Sequence, residues 1–217
     1  MWSGPRLTSL PRALNRHSLR VGAKALSRRD PALAALLRRH GPPPLWGRRP
    51  GFATLVRIIL EQQVSLAAAR TMYVRLFHAL RGVVPAAVHA RGVAGLRALG
   101  LTRQKAAYCH GLAAWVLDGR LDLAAIARMP DRVGREALLA VPGLGPWSVD
   151  IYYLMALRRP DVWPSGDLAL ADALHRVLRL RRRPDAERQQ AIATRWAPWR
   201  SVAARLLWQF YLSTPAR

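Results

Sequence analysis

The chain predicts an all-α fold on three observations. Apolar residues return at i, i+3 and i+4 along most of its length, the spacing that lines one face of a helix. The intervals between these runs carry helix starters and stoppers such as Ser65, Thr102, Gly119 and Pro130. No segment alternates apolar and polar residues between turn signals, as a half-buried strand would. With 217 residues, 51% of them apolar, the chain can bury one sizeable core or two small lobes sharing one. That apolar content excludes a disordered basic tail as the whole protein. No apolar run approaches the ~20 residues needed to cross a bilayer, so no membrane-spanning helix is expected.

The elements follow in order. Residues 1–28 contain arginines and serines but no acidic residue, a composition shared by transit peptides and nucleic-acid-binding tails. Amphipathic order is weak before Leu19, so this stretch is expected to be a flexible basic tail, with the folded domain spanning 29–217. Pro31 to His40 reads as a helix with Leu33, Leu36 and Leu37 on one face, broken by Gly41 and three prolines. Phe52 to Glu61 is a second apolar helix. Gln62-Gln63-Val64-Ser65 interrupts it, and Ser65 is placed to N-cap a helix through Met72, Leu76 and Leu80. Helices are expected from about Val93 to Leu99 and from Thr102 to Leu117, with one or two turns from Leu123 to Met129. Beyond residue 157, helices are expected over Leu168–Leu180, Pro184–Thr194 and about Pro198–Leu212.

The net charge of +23 points to a polyanionic partner, most simply nucleic acid, with an anionic membrane as the lesser option and not the expected partner. Nearly all of it is arginine, Lys24 and Lys105 being the only lysines, and arginine enrichment also follows genome base composition. The single cysteine, Cys109, excludes an intrachain disulfide and any cluster held by four thiolates. It lies in an apolar helical pattern and reads as an inert core residue.

The most informative stretch runs from Arg135 to Asp150, within a hairpin spanning about 135–157. Leu138, Leu139 and Val141 mark a short helix that ends at Pro142-Gly143. The turn Gly143-Leu144-Gly145 can adopt φ values that a Cβ resists. Pro146 stands where proline fits best, at the first position of a new helix, which is expected to continue through Ile151, Tyr152, Leu154 and Met155. Such a turn leaves backbone N–H groups at a helix N-terminus, a seat for a phosphate. Twenty-two residues after Gly145 comes Asp167, in Trp163-Pro164-Ser165-Gly166-Asp167. Asp167 can N-cap the helix that begins at Leu168, can act chemically, or can do both, since a helix N-terminus favours negative charge. Asp161 reads as a loop residue and Asp172 as a solvated helix position.

Hairpin, proline-bearing loop and aspartate together resemble the helix-hairpin-helix DNA glycosylases with a Gly/Pro...Asp motif. Within them the chain is most similar to the 3-methyladenine DNA glycosylase II family, over about Asp30 to Tyr211. The resemblance implies a two-lobed helical bundle with the active-site cleft between the lobes. It also implies a short form without the N-terminal β domain that larger members carry. The activity implied is base excision of alkylated purines from double-stranded DNA by a monomeric, cytoplasmic bacterial enzyme associated with the nucleoid. Asp167 would be the catalytic carboxylate, stabilising an oxocarbenium-like sugar and orienting water. One carboxylate can suffice because an alkylated purine leaves as a neutral base, whereas O-glycosidases usually need two.

Trp147 occupies the position where bifunctional relatives place a Schiff-base lysine, so water is the implied nucleophile. Trp147 and Trp208 would line the base pocket. Ile151 stands there where the family pattern has an aromatic, and Tyr152 and Tyr153 would point elsewhere. Trp196 and Trp199 read as core. Gly143, Leu144, Gly145 and Ser148 would bind DNA, and Gln63 stands where the family presents a wedge into the base stack. For Gln62 and Gln63 the alternative is capping of helix ends or hydrogen bonding across the lobe interface. No cofactor or metal is required on this resemblance, although the superfamily often binds a monovalent cation on hairpin carbonyls. The rival readings are a glycosylase of the same fold for another lesion and a non-catalytic helix-hairpin-helix DNA-binding module.

Overall fold

The computed structural model describes residues 12–213, and among these it contains helices and no strand. The first six α-helices are α1 (Arg16–Arg29), α2 (Pro31–His40), α3 (Phe52–Glu61), α4 (Leu66–Leu80), α5 (Pro85–Ala98) and α6 (Arg103–Leu117). They are followed by α7 (Leu123–Ile126), α8 (Asp131–Leu139), α9 (Pro146–Ile151), a π-turn (Tyr152–Ala156), α10 (Leu168–Val177), α11 (Ala186–Ala193) and α12 (Arg200–Ser213). The chain divides into two compact units. One is the chain up to Gly47 together with the chain from Tyr153 onward, and the other is Arg48–Tyr152.

The first correction concerns the N-terminus. Residues 16–28 are not a tail but most of α1; residues 1–11 of the expected tail lie outside the described residues. Asn15 caps α1 in a reciprocal box, accepting from the Ser18 amide at 2.8 Å while the Ser18 hydroxyl accepts from the Asn15 amide at 2.9 Å. Leu19, Gly22, Ala23 and Leu26, at helical spacing, are buried. This stripe is narrow and carries only two large apolar side chains, which hid it among the arginines. Gly22 is a packing requirement: a Cβ there would lie 2.7 Å from Cε3 of Trp199, so α1 packs closely against this residue only with glycine.

In the same unit, Trp196 and Trp199 are core residues, as expected. The Trp196 indole donates to Asp30 Oδ2 at 2.7 Å, while Asp30 Oδ1 caps α2 by accepting from the amides of Ala32 and Leu33. Arg205 of α12 is fully buried and is held by three carbonyls: Leu45 through Nε (2.9 Å), Ser201 through Nη1 (3.0 Å) and Leu154 through Nη2 (2.8 Å). Burial alone pushes its guanidinium down to about 9. Leu154 lies in the π-turn, where i→i+5 geometry replaces the α-helix expected to run through Met155. α10 ends at Val177 rather than Leu180, with Arg179 in the left-handed region at φ 50°.

The second unit is built on α3, whose Leu55, Val56, Ile58, Ile59 and Leu60 are completely buried. α6 contributes Ala106, Cys109, Leu112 and Ala113 to its core. Lys105, also buried, donates from Nζ to the Leu60 carbonyl at 2.7 Å and so closes the C-terminal end of α3. Burial pushes Lys105 down and pushes the Cys109 thiol up to about 12, in keeping with an inert core cysteine. The expected helix caps at Ser65 and Thr102 are present, each accepting from an amide at 3.2 Å. α5 begins at Pro85, eight residues earlier than its apolar spacing suggests, and breaks at Gly92 (φ 67°, ψ 165°).

Candidate active site and nucleic-acid interface

The hairpin belongs wholly to the second unit. α8 ends at Leu139, and the turn closes through amide-to-carbonyl bonds from Val141 to Leu138 and from Leu144 to Val141, both 3.1 Å. Gly143 sits at φ 92°, a conformation that side chains resist. Gly145 does not: at φ −85°, ψ 177° it is the ordinary extended N-cap of α9, with Pro146 at the first helical position. Only the first of the two glycines is therefore demanded by backbone conformation. Of the turn expected to be able to adopt such φ values, Gly143 alone uses one. A Cβ at Gly143 would also lie 2.6 Å from Cδ2 and 2.8 Å from Cβ of Tyr108. No side-chain hydrogen bond caps the start of α9, and Gly145 and Pro146 are exposed there.

The side chains of Leu144 and Ser148 are turned inward, 3% and 2% exposed. Burial of these two side chains leaves the backbone as the part of the turn that meets solvent. The Ser148 hydroxyl accepts from Gln62 Nε2 at 2.9 Å, and the same nitrogen donates to the Gly143 carbonyl at 2.9 Å. Gln62 thus ties the α3–α4 junction to the hairpin inside a single unit. Gln63, the next residue, is exposed and left-handed at φ 56°, and Val64 and Leu66 beside it are exposed at 40% and 63%. A second tie pairs Arg135 of α8 with Asp150 of α9. The remaining expected residues of this unit lie on α9, with Trp147 half-buried and Ile151 buried.

Asp167 and Trp208 belong to the first unit and are brought together. Asp167 is the N-cap of α10, where Oδ1 accepts from the Leu170 amide at 2.9 Å. The same oxygen accepts from the Trp208 indole N–H at 3.2 Å. Each residue is 8% exposed. Gly166, at φ 82°, turns the chain into this cap, and the Asp167 amide donates to the Pro164 carbonyl at 3.2 Å. The capping role weighed from the sequence is therefore real, and the carboxylate is fixed by it beside an aromatic ring.

The two competing aspartates are tied to arginines. Asp161 takes Nε and Nη2 of Arg200 at 2.7 and 2.8 Å. Asp172, expected to be solvated, is instead mostly buried and paired with Arg183 at 2.8 Å and Arg176 at 3.5 Å. Sequence reasoning missed the Trp208–Asp167 and Gln62–Ser148 bonds because they join residues 41 and 86 positions apart. Among the described residues no group of three or more His, Cys, Asp or Glu side chains is placed to hold a metal ion. No described helix is long and apolar enough to cross a membrane.

Comparison with known proteins gives the geometry its context. A family model described as HhH-GPD superfamily base excision DNA repair protein matches residues 56–198. The Bacillus subtilis (strain 168) protein YfjP, whose name carries a provisional assignment as a DNA-3-methyladenine glycosylase, is 27% identical over 82% of this chain and 65% of its own length. The chain covers less than two thirds of the first curated relatives it matches: 65%, 36% and 32%. Among solved structures, the Schizosaccharomyces pombe 3-methyladenine DNA glycosylase Mag1 bound to abasic DNA superposes with a TM-score of 0.77. It is 23% identical over 87% of this chain and 95% of Mag1, a likeness of fold. A DNA-3-methyladenine glycosidase from Bacillus halodurans gives a TM-score of 0.73 at 25% identity, covering 88% of this chain and 89% of that one.

Proposed function

The chain belongs to the HhH-GPD superfamily of base excision DNA repair proteins, and from that premise we propose that it is a monofunctional DNA glycosylase that removes alkylated purines from duplex DNA. The observation that carries this reading is the fixed carboxylate of Asp167, anchored by the Leu170 amide and the Trp208 indole. Breaking the N-glycosidic bond leaves positive charge on the sugar. A carboxylate already oriented before the reaction stabilises that charge without reorganising, and it can direct a water to C1′. A purine carrying an alkyl group on a ring nitrogen is cationic and departs neutral, so no second acid is needed. Trp147 cannot form a Schiff base, so the product is an unbroken abasic strand.

Trp208, bonded to Asp167 in the first unit, supplies an electron-rich face that attracts a cationic base, an effect of up to ~2 kcal/mol where water is excluded. Gln63, exposed and left-handed at the α3–α4 junction, suits the part of a wedge that fills the gap left by the extruded nucleotide. The backbone at Gly143 and Gly145 serves as the phosphate grip, and the enzyme acts as a monomer without a required cofactor.

The rival reading, a DNA-binding module in which Asp167 merely caps α10, is favoured by the same Leu170 bond. Asp167→Asn separates the two, because asparagine caps a helix as well as aspartate does but carries no charge. Free-base release from methylated duplex should fall by at least ~100-fold in a variant that keeps its stability and its DNA affinity. Equal release by both proteins would leave only the capping role. Release of no base by the wild type would overturn the enzymatic reading altogether.

A further inference from the structure

The exposed face of α1 is a surface that the proposed chemistry does not use. Arg16, Arg20, Lys24 and Arg28 are all exposed and stand at i, i+4, i+8 and i+12. Successive positions on this row are neighbours on a helix surface, so the four cations form a single ridge ~18 Å long. Among the described residues, no ion pair engages any of the four. Like charges at i, i+4 destabilise a helix, and this helix contains three such pairs and no acidic residue.

The rest of the chain shows that this is not simply what an arginine-rich sequence does. Where an arginine on another helix has a neighbour at i±4, that neighbour is acidic in three cases: Arg57 with Glu61, Arg132 with Glu136 and Arg176 with Asp172. Among the described helices only α1 strings cations at successive i+4 positions. Arg29, by contrast, is occupied by the carbonyls of Arg195 and Ala197 and is not part of the ridge. A local rule kept elsewhere and broken here, with no compensating contact, marks a surface kept for a partner.

We propose that the α1 ridge is a second DNA-binding surface, contacting the phosphate backbone of the duplex independently of its sequence. The partner must be anionic and extended. At 3.4 Å of axis per phosphate on one strand, the ridge matches about five phosphates in length. A membrane surface is disfavoured because an interfacial helix needs an apolar face to insert, and the apolar face of α1 is buried in its own unit. An acidic protein is disfavoured because the ridge offers no exposed aromatic or aliphatic anchor of the kind that supplies most protein–protein binding energy. The inference rests on the reading of the chain as a DNA-acting protein, and the test keeps the two apart.

The test compares the full-length wild type with Arg16→Gln/Arg20→Gln/Lys24→Gln/Arg28→Gln on a lesion-free duplex, by fluorescence anisotropy over a salt series. Each phosphate contact contributes about 0.9 to the slope of log K against log salt. Loss of the ridge should therefore flatten the slope by about 2 to 4, weaken binding at low salt and leave no dependence on duplex sequence. Glutamine keeps helix propensity, so the variant should melt no lower than the wild type. The single variants Arg20→Gln and Lys24→Gln, each lowering the slope by about 0.9, cover the case of a misfolded quadruple variant. An unchanged slope in a folded variant would overturn the proposal. So would an equal loss of binding to polyglutamate or to phosphatidylserine vesicles at affinities matching DNA, which would make the ridge a general anion surface. A wild type that binds no DNA would instead fail the functional reading itself.

Discussion

Replacing Gly143 with alanine tests the hairpin most directly, because the substitution meets two separate obstacles. The first is conformational: at φ 92° the new Cβ opposes the backbone, which costs an L residue about 1–2 kcal/mol. The second is steric, since the Cβ would fall 2.6 Å from Cδ2 of Tyr108, and forcing a methyl group into a filled space costs about 1–3 kcal/mol. Together these amount to about 2–5 kcal/mol out of a total stability of about 5–15 kcal/mol. With an m-value of about 3 kcal/mol/M in urea, the unfolding midpoint should fall by about 1 M with m unchanged. The internal control is Gly145→Ala. That residue is extended, with no atom within 4 Å of its added Cβ, so the midpoint should move by less than about 0.3 M as the poorer cap offsets the stiffer unfolded chain. Tyr108→Ala in the Gly143→Ala background should recover the steric part and leave the conformational part, a coupling of about 1–3 kcal/mol. Two glycine variants of equal stability would refute the assignment of the turn's backbone demand to Gly143.

Other substitutions probe the remaining parts. Trp208→Phe keeps an aromatic ring but removes the N–H that Asp167 accepts; base release should fall by about tenfold or more at unchanged DNA affinity, matching a lost hydrogen bond to a charged acceptor of about 1.5–3 kcal/mol. Trp208→Leu should lose more activity on cationic 3-methyladenine and 7-methylguanine than on neutral hypoxanthine, as paired single-turnover rates would show. Arg205→Met strands the carbonyls of Leu45 and Leu154 and removes a second donor from that of Ser201, and should destabilise the fold by roughly 3 kcal/mol in chemical denaturation. Cys109, with its thiol held up to about 12 by burial, should resist Ellman's reagent in the native protein and react stoichiometrically on unfolding. Because the unfolded thiol ionises near 9 and the folded one does not, stability should also decline as pH rises above 9.

Much of the fold was legible where one local rule dominates. The α3 boundaries, Phe52 and Glu61, follow from a continuous apolar face, and the Ser65 and Thr102 caps follow from side chains suited to accept an amide. Asp167 stood out because glycine, proline and aspartate came in an ordered set. The parts that escaped depend on partners distant in sequence. α1 was hidden because its stability comes from burying two leucines and two small residues, a weak periodic signal beneath strong charge. The π-turn was hidden because a helical apolar pattern reads alike whether the backbone bonds to i+4 or i+5, and the carbonyl of Leu154 is claimed by Arg205, 51 residues away. Ser148 was named for DNA binding from its place beside the hairpin, and its hydrogen bond to Gln62, 86 residues upstream, lay beyond any local rule.

The double donation from Gln62 also bears on how such a chain can change over generations. One side-chain amide serves both the Gly143 carbonyl and the Ser148 hydroxyl, so a change at residue 62, 143 or 148 is felt at the other two. A shorter side chain at 62 strands two acceptors at once. An apolar residue at 148 leaves the amide a hydrogen without its partner, and a side chain at 143 displaces the carbonyl that the amide reaches. Substitutions at the three positions should therefore couple rather than add. Gln63, one peptide further along, makes no such bond to the hairpin among the described residues, so its side chain can be replaced without removing either bond of the set.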